Sequence, residues 1–294
     1  MHAPRRILVA TDFSAPAERA LDTALALAAP TEGEVHLIHA LEVVPPSLSP
    51  YTLAIPEDLI RTAREAGKRK LDAARRKVEA RGLATSAVLG ELPAAAAIAA
   101  RATEIGADLV VVGSHGHTGV KHFLLGSVAE HSVMQSPISV LTVRGEGHAE
   151  SPRTIVVGTD FSAHAERAVA LAADWARAFG AQLHLVNGIS LATPFVGPYD
   201  VAVPAALIDE SYAAAEKKLA AIAEQLAGVD AHVAVLSAAP HDAIDTIARR
   251  VKADLIVTGS RDLRGLKHVL LGSVAERTLR HAPCSVLTVK APIG

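Results

Sequence analysis

Short runs of β-branched and other apolar residues alternate along the chain with longer amphipathic or alanine-rich stretches. In the first half this pattern predicts strands near 6–11, 35–41, 85–89, 108–113 and 138–143, with helices near 15–29, 57–81, 93–106 and 127–135. In the second half strands are predicted near 154–159, 182–188, 230–236, 254–258 and 285–289. Strand, helix, strand order implies parallel pairing through right-handed crossovers. Each half is therefore predicted to be an α/β domain with a doubly wound, five-stranded parallel sheet.

The two halves are copies of one another. Residues 121–143 align with residues 267–289 without a gap and match at 15 of 23 positions, and residues 7–14 resemble residues 155–162. Between the copies lies a short polar stretch rich in glycine, which is typical of a linker. We therefore assign residues 1–144 to the first domain, 145–152 to the linker and 153–294 to the second domain.

Several residues have the character of helix caps. Ser14 and Ser162 each precede a predicted helix, where a hydroxyl accepts a hydrogen bond from a free N–H group. Gly106 and Gly180 follow predicted helices, where the chain commonly adopts a left-handed conformation. These residues support the predicted helix limits.

Composition narrows the function classes. Half of the residues are apolar but only 3% are aromatic, so the cores are predicted to consist of Ala, Val, Leu and Ile. A net charge of −2 and a pI near 6.7 argue against binding to nucleic acid or to an anionic membrane. No apolar run approaches the roughly 18 residues that span a bilayer, and the first one is too short for a signal peptide, so we expect a cytoplasmic protein. Cys284 is the only cysteine, which fits a reducing compartment.

Three glycines and a serine follow the fourth predicted strand with the spacing G-x2-G-x9-G-S. We expect Gly113 to leave room for a ribose or phosphate, and Gly116 to permit a positive φ and to expose its N–H group with no Cβ in the way. Gly126 and Ser127 open a predicted helix, whose free N–H groups and dipole favour an anion. Neither a P-loop nor a dinucleotide-binding G-x-G-x-x-G motif is present.

An aspartate, Asp12, ends the first predicted strand. A carboxylate at that point can accept hydrogen bonds from the hydroxyl or amino groups of an adenosine, and the alternative is a solvated aspartate without a ligand. Because the glycine motif lies beside it in the predicted sheet, we favour the ligand-binding interpretation.

The aspartate and the glycine motif together resemble the universal stress protein family in its tandem form, over essentially the whole chain. The resemblance implies two flavodoxin-like domains and ATP, with or without Mg²⁺, bound at the switch point of the sheet. It places Ala10, Thr11 and Asp12 by the adenosine, Ala40 by the adenine, Val112 and Gly113 by the ribose, and Gly116, Gly126, Ser127 and Val128 around the phosphates.

The second copy departs from the motif because Asp262 stands where the first copy has Gly116. Two like charges about 4 Å apart repel by about 1 kcal/mol in water and about 4 kcal/mol at an effective dielectric constant near 20. Arg261 and Arg264 offset this repulsion only if they turn inward. We hypothesise that the second site is weak, empty or adapted to a smaller anion. Its counterpart residues are Gly158, Thr159, Asp160, Gly188, Gly259, Gly272, Ser273 and Val274.

Histidine and lysine residues of the motif loop carry weaker signals. His115, His117 and His122 invite a metal-site interpretation, but nothing in the sequence defines further ligands, and we predict a solvated loop and no metal site. Lys121 and Lys267 are equally compatible with a phosphate contact and with exposure to solvent.

Three function classes stay open from the sequence. The first is a regulatory stress-response protein in which ATP in the first domain changes a surface that an unknown protein partner recognises. The second is an enzyme, at most a slow ATP hydrolase or a protein that phosphorylates itself at Ser127, although the sequence shows no pair of catalytic carboxylates and no nucleophile with an adjacent base. The third is an interaction module without nucleotide. The final apolar strands of the two copies are further predicted to pair, giving a pseudo-dimer within the chain, and a homodimer is a further option.

Overall fold

The computed structural model describes residues 3–41, 56–116, 125–145, 151–190, 195–196, 201–202, 205–260 and 272–291. The chain forms two compact units, one covering residues 4–150 and the other residues 151–291. The division between them falls inside the predicted linker at 145–152. Each unit is described below by itself.

The N-terminal domain is a parallel sheet with helices in the connections between its strands. Its elements are β1 (Arg6–Ala10), α1 (Ala15–Ala28), β2 (Glu34–Ala40), α2 (Glu57–Glu79), β3 (Ala87–Gly90), α3 (Ala94–Glu104), β4 (Leu109–Gly113), α4 (Ser127–Gln135) and β5 (Val140–Val143). All pairings are parallel, and the strand order is β3-β2-β1-β4-β5. From β1 the chain builds β2 and β3 on one side of this strand, and it then crosses to form β4 and β5 on the other side. The switch point of the sheet therefore lies between β1 and β4.

The C-terminal domain repeats this arrangement. Its elements are β6 (Thr154–Gly158), α5 (Ala163–Phe179), β7 (Gln182–Gly188), β8 (Phe195–Val196), β9 (Val201–Ala202), α6 (Ala205–Gln225), β10 (Asp230–Leu236), α7 (Pro240–Val251), β11 (Leu255–Gly259), α8 (Ser273–His281) and β12 (Ser285–Val289). The parallel strands lie in the order β10-β7-β6-β11-β12, with the switch point between β6 and β11. Strands β8 and β9 form an additional antiparallel pair that the sequence pattern did not predict.

The central strands carry the core of each domain. The three apolar residues that follow Arg6 in β1 are fully buried. The three apolar residues that follow Thr154 in β6 are fully buried as well. Helices contribute mainly alanine and leucine to the same core, which agrees with the low aromatic content. The prediction of two doubly wound, five-stranded parallel domains is therefore confirmed. Burial on both faces explains why these strands read as continuous apolar runs.

The predicted caps are also confirmed. Ser14 and Ser162 precede α1 and α5, and each hydroxyl accepts a hydrogen bond from the third residue on, at 3.4 Å. Gly106 and Gly180 follow their helices with φ of 61° and 66°, in the left-handed region. The remaining differences in helix and strand ends are one or two residues, as expected where terminal turns fray.

Two histidine rings stack on each other at the β10 edge of the C-terminal sheet. His184 of β7 and His232 of β10 are in register, and their ring centroids lie 4.8 Å apart. The pKa of His184 is lowered from its ordinary value, first by burial and second by the charge of His232, while Asp230 acts in the opposite direction. The folded domain therefore binds a proton at His184 less readily than the unfolded chain does.

This lowered pKa predicts that acid destabilises the C-terminal domain. The contribution of His184 to the free energy of unfolding is fully present above its ordinary pKa of 6.5 and is lost as the pH falls through the folded pKa. Urea unfolding at about pH 7.5 and about pH 5.5, followed by the fluorescence of Trp175, measures this loss. We expect His184→Gln to reduce the pH dependence, and His232→Gln to reduce it less. An unchanged pH dependence in His184→Gln would contradict the assignment.

Candidate functional site

The residues predicted to bind nucleotide in the N-terminal domain lie along one edge of its sheet. Ala10 and Ala40 end β1 and β2, Gly113 ends β4, and Ser127 and Val128 open α4. Since the carboxyl ends of parallel strands meet at the same edge, these residues surround the switch point. The structure therefore brings these predicted residues to one edge of the sheet.

Asp12 and Gly116 are in direct proximity. A Cβ atom added to Gly116 would lie 2.6 Å from Oδ2 of Asp12, so the end of the Asp12 side chain would have to shift. The other carboxylate oxygen, Oδ1, accepts a hydrogen bond from the Ser14 N–H group at 3.0 Å. The φ of Gly116 lies outside the left-handed region, so the positive φ that a glycine permits is not used at this position. The structural requirement for glycine at this position is space for the Asp12 carboxylate.

Gly113 also has a packing role. A Cβ at Gly113 would lie 2.8 Å from the carbonyl carbon of Pro16, in the first turn of α1. The glycine therefore lets α1 approach β4 closely, and a ribose or phosphate contact at Gly113 stays a prediction. The same relation holds in the C-terminal domain, where a Cβ at Gly259 would lie 2.6 Å from the carbonyl oxygen of His164 in α5.

The start of α4 is held beside the end of β4. The Gly126 N–H group donates a hydrogen bond to the Ser114 carbonyl at 2.8 Å. Gly126 is the residue that precedes α4, and Gly272 is the residue that precedes α8. Neither provides a side-chain hydrogen bond to the N–H groups of its helix. The first N–H groups of these helices are thus not capped by a side chain of the preceding residue, whereas α1 and α5 have serine caps. An uncapped helix start with a positive dipole end is suited to an anion.

The C-terminal domain contains a pocket of about 530 Å³ at the corresponding edge. All eight residues predicted as the second site line it: Gly158, Thr159, Asp160, Gly188, Gly259, Gly272, Ser273 and Val274. A volume of this order is within the range of small-molecule sites, roughly 300 to 1,000 Å³. The second set of residues is therefore brought together in one cavity.

Other residues of this pocket were not predicted from the sequence. They are Ser162, His164, Ala165, Val186, Asn187, Pro240, Ile244, Thr258 and Ala275. Most belong to the flanking helices or to strand positions outside the glycine motif, so the motif alone gave no signal for them. Comparison of the two copies position by position is the signal that could have identified some of them, because Asn187 and Thr258 differ from their counterparts His39 and Val112.

His39 and Asn187 perform the same structural task with different side chains. Nδ1 of His39 donates a hydrogen bond to the Thr11 carbonyl at 2.8 Å, and Nδ2 of Asn187 donates to the Thr159 carbonyl at 2.7 Å. Because a carbonyl only accepts, the His39 proton is on Nδ1. Each bond fixes the backbone immediately before the aspartate of its site.

The larger imidazole is accommodated by a glycine on the facing helix. A Cβ at Gly67 of α2 would lie 3.4 Å from Cδ2 of His39 and 3.2 Å from Cδ1 of Leu89. The repeat has buried Ala215 at the corresponding position of α6 and the smaller Asn187 at the position of His39. The first copy therefore combines a larger side chain on the strand, His39, with a smaller residue on the helix, Gly67. The second copy combines the smaller Asn187 with the larger Ala215, so the total volume of the pair changes less than either residue alone.

We expect Gly67→Ala to be nearly neutral alone and stabilising beside His39→Asn. Alanine is more favourable than glycine within a helix by about 1 kcal/mol, but the new methyl group would lie 3.2 Å from Cδ1 of Leu89 and 3.4 Å from Cδ2 of His39, and these contacts offset the gain. In the His39→Asn chain the contact with the ring is relieved while the contact with Leu89 stays, so part of the gain of about 1 kcal/mol should appear. Chemical denaturation of the two single variants and the double variant, followed by circular dichroism, gives the coupling. Additive effects would show that the two residues do not share this space.

A phenylalanine with a positive φ follows the site aspartate in both domains. Phe13 and Phe161 have φ of 64° and 62°, an unfavourable conformation for a bulky residue. The ammonium of Lys70 lies 5.3 Å from the Phe13 ring centre, and that of Lys218 lies 5.2 Å from the Phe161 ring centre. Strained backbone that recurs beside a cleft is typical of functional sites. The sequence showed Phe13 and Phe161 as conserved between the copies but not their conformation.

Further predictions concern metal and membrane. Within the described ranges, no three His, Cys, Asp or Glu residues are grouped so as to hold a metal ion. The helices described here include none with the length and hydropathy to cross a membrane. Asp262, Arg261, Arg264, His117, His122, Lys121 and Lys267 lie outside the described residues.

Comparison with known proteins gives consistent matches. The model of the universal stress protein family matches residues 4–144 and again residues 152–290. A universal stress protein of Methanocaldococcus jannaschii is 37% identical over 143 residues, which are 48% of this chain and 83% of that protein. One from Thermus aquaticus is 35% identical over 140 residues, 47% of this chain and 98% of that protein. The crystal structure of a universal stress protein from Archaeoglobus fulgidus covers 97% of both chains at 23% identity with a TM-score of 0.67, which concerns the fold alone.

Proposed function

This chain belongs to the universal stress protein family, in its tandem form, and from this premise we propose that it is a stress-response protein that binds an adenine nucleotide. The N-terminal domain is proposed to hold ATP at the carboxyl edge of its sheet. The proximity of Gly116 to the Asp12 carboxylate is the observation that supports this most directly, because it joins the glycine motif to the aspartate of the first strand.

The chemistry of the described residues fits such a ligand. Asp12 supplies a carboxylate for the hydroxyl groups of a ribose, and the backbone of Ala40 at the end of β2 supplies polar groups for a base. The first turn of α4, entered through Gly126, supplies N–H groups for phosphate oxygens, and Ser127 adds a hydroxyl donor. Mg²⁺, where present, would neutralise part of the phosphate charge.

Regulation requires only that the nucleotide changes the relative stability of two conformations. A ligand shifts such an equilibrium by its difference in affinity for the two states. We propose that a partner protein recognises the state that ATP favours.

Mass analysis of the small molecule that copurifies with the full chain tests the proposal. We expect adenine nucleotide at close to one equivalent per chain, and a thermal shift on addition of ATP to nucleotide-free protein. Rapid metal-dependent turnover that Ser127→Ala abolishes would favour an ATP-hydrolysing enzyme instead. No copurifying nucleotide and no thermal shift would overturn both functions.

The stoichiometry is expected to rise when the second motif is restored. Asp262→Gly recreates the G-x2-G-x9-G-S spacing in the C-terminal domain and removes one negative charge. Calorimetric titration with ATP should then approach two sites per chain, with the second at least about tenfold tighter than before. Asp262→Asn, which removes the charge but keeps the side chain, is the control. Two equal sites in the unmodified chain would contradict the assignment.

A further inference from the structure

Four polar side chains form a hydrogen-bonded chain at the amino-terminal ends of β2 and β3. Nε2 of His36 lies 3.0 Å from Oε2 of Glu34, and Nδ1 of His36 lies 2.8 Å from Oγ of Ser86. Nη2 of Arg101, in the last turn of α3, donates a hydrogen bond to the same Ser86 oxygen at 2.9 Å. Because Ser86 lies 50 residues after His36, no spacing in the sequence indicated this contact.

The chemistry of the partners fixes the direction of these hydrogen bonds. The pKa of the Glu34 carboxyl is lowered, first by the hydrogen bond from Arg6 and second by the one from His36, so this group is ionised at neutral pH. A carboxylate only accepts, so the neutral His36 ring carries its proton on Nε2 and leaves Nδ1 as an acceptor. Since the Arg101 guanidinium only donates, the Ser86 oxygen accepts from it, and the Ser86 O–H group donates to Nδ1.

This arrangement is that of an activated serine nucleophile. The hydroxyl lies against the acceptor nitrogen of a histidine, and a carboxylate holds the other ring nitrogen. The positive charge of Arg101 lies beside the attacking oxygen, where negative charge develops during an attack on a carbonyl group. Ser86 is half-buried and the His36 side chain is 13% exposed, so the hydroxyl belongs to the surface layer of the domain.

The C-terminal domain builds the same strands from other residues. His184 stands at the position of His36. In place of the glutamate, the serine and the arginine, in that order, the second copy has Gln182, His232 and Ile247. The fold therefore does not require a carboxylate, a serine and an arginine at these positions, and their combination in the first copy has another explanation.

The group is also separate from the candidate nucleotide site. Ala40 ends β2 four residues beyond His36, which is a distance of about 13 Å at roughly 3.3 Å per residue. The four side chains thus lie toward the amino ends of strands whose carboxyl ends carry the predicted nucleotide-binding residues.

We propose that Ser86 is the nucleophile of a site that hydrolyses small carboxylic esters, with His36 as its general base and Glu34 as a positioning residue. The Ser86 oxygen forms a bond to the acyl carbon while its proton moves to Nδ1 of His36. The bond from the acyl carbon to the alcohol oxygen then breaks, and His36 returns the proton to the leaving alcohol. Water attacks the acyl-serine by the same steps in reverse, which releases the carboxylic acid and restores the Ser86 hydroxyl.

Labelling of the full chain with an alkyl fluorophosphonate tests the nucleophile. This reagent bonds to an activated serine oxygen through phosphorus and releases fluoride, and peptide mass analysis locates the label. We expect the label on Ser86. Ser211 of α6 is the matched control within the same chain, because it is exposed and its hydroxyl donates to the Leu207 carbonyl at 2.8 Å rather than to a base. It should stay unlabelled.

Variants of the base and of its partner test the mechanism. His36→Gln should slow the labelling of Ser86 on the order of a hundredfold, since general-base assistance is lost. With p-nitrophenyl acetate as the ester, Glu34→Gln should lower kcat at least about tenfold and change KM by less than about twofold. A purely structural role of Glu34 would instead lower the unfolding temperature and leave kcat of the folded protein unchanged.

The result with the unmodified chain decides the inference even if a variant fails to fold. No label on Ser86, or equal labelling of Ser86 and Ser211, would overturn it. Labelling of Ser86 at the same rate in folded His36→Gln would also overturn it, because the histidine would then not act as a base. The nucleotide function is tested separately, since Ser86→Ala should remove ester hydrolysis and leave ATP binding unchanged.

Discussion

Gly116→Asp should abolish ATP binding to the N-terminal domain. The new Cβ would lie 2.6 Å from Oδ2 of Asp12, so either the carboxylate or the loop must move. The added charge would also repel both Asp12 and the phosphates. At about 4 Å and an effective dielectric constant near 20, one such repulsion is about 4 kcal/mol, which corresponds to a loss of affinity on the order of a thousandfold. Calorimetric titration with ATP measures the loss directly.

Two further substitutions at this position separate steric from electrostatic effects. Gly116→Ala adds the Cβ alone, and Gly116→Asn adds a neutral side chain of nearly the same shape as aspartate. We expect the affinity for ATP to decrease in the order Gly116, Ala, Asn, Asp, and the Asp variant alone to recover partly at high salt, because salt screens charge repulsion. Equal affinity for ATP in Gly116→Asp and the unmodified chain would place the nucleotide elsewhere.

Gly259→Ala should strongly destabilise the C-terminal domain. The added methyl group would lie 2.6 Å from the carbonyl oxygen of His164 and 2.9 Å from its carbonyl carbon, both backbone atoms that cannot rotate away. Overpacking of this kind costs about 1 to 3 kcal/mol, and we expect the upper end of that range because α5 must shift from β11. Trp175 of α5, the only tryptophan in the chain, is 2% exposed and reports this unfolding by fluorescence.

Two controls accompany this measurement. A Cβ at Gly180 would meet no atom within 4 Å, but its φ of 66° disfavours alanine, so Gly180→Ala should cost only about 1 kcal/mol. Gly113→Ala repeats the steric conflict in the N-terminal domain, against Pro16, and should lower the transition seen by circular dichroism with little change in the Trp175 signal. If Gly259→Ala and Gly180→Ala unfold alike, close helix packing is not the reason for glycine at this position.

The order and limits of the secondary structure could be predicted from local patterns. Apolar runs, the serine caps at Ser14 and Ser162, and the glycines at 106 and 180 each report interactions within a few residues of chain. The duplication then made the second domain predictable from the first. The β8 and β9 pair was missed because two-residue strands leave too short a pattern to recognise.

The candidate site was predictable as a set of residues but not as a set of contacts. The comparison with the first copy identified eight of the residues that line the C-terminal pocket, at the ends of its strands and at the start of α8. The packing reasons for individual glycines were not predictable because they depend on distant partners. Gly116 makes room for Asp12, and Gly113 makes room for α1, and neither partner is near in sequence.

The sequence by itself determined the duplication, the fold class, the family and the asymmetry between Gly116 and Asp262, since each is written in residue types and their spacing. Tertiary structure alone decided which residues lie close together. Gly116 lies beside Asp12, Gly67 lies beside His39, and Thr258 lines the C-terminal pocket. The physical reason is that packing depends on distances between segments far apart along the chain, whereas sequence patterns report the demands of hydrogen bonding, capping and burial within one segment.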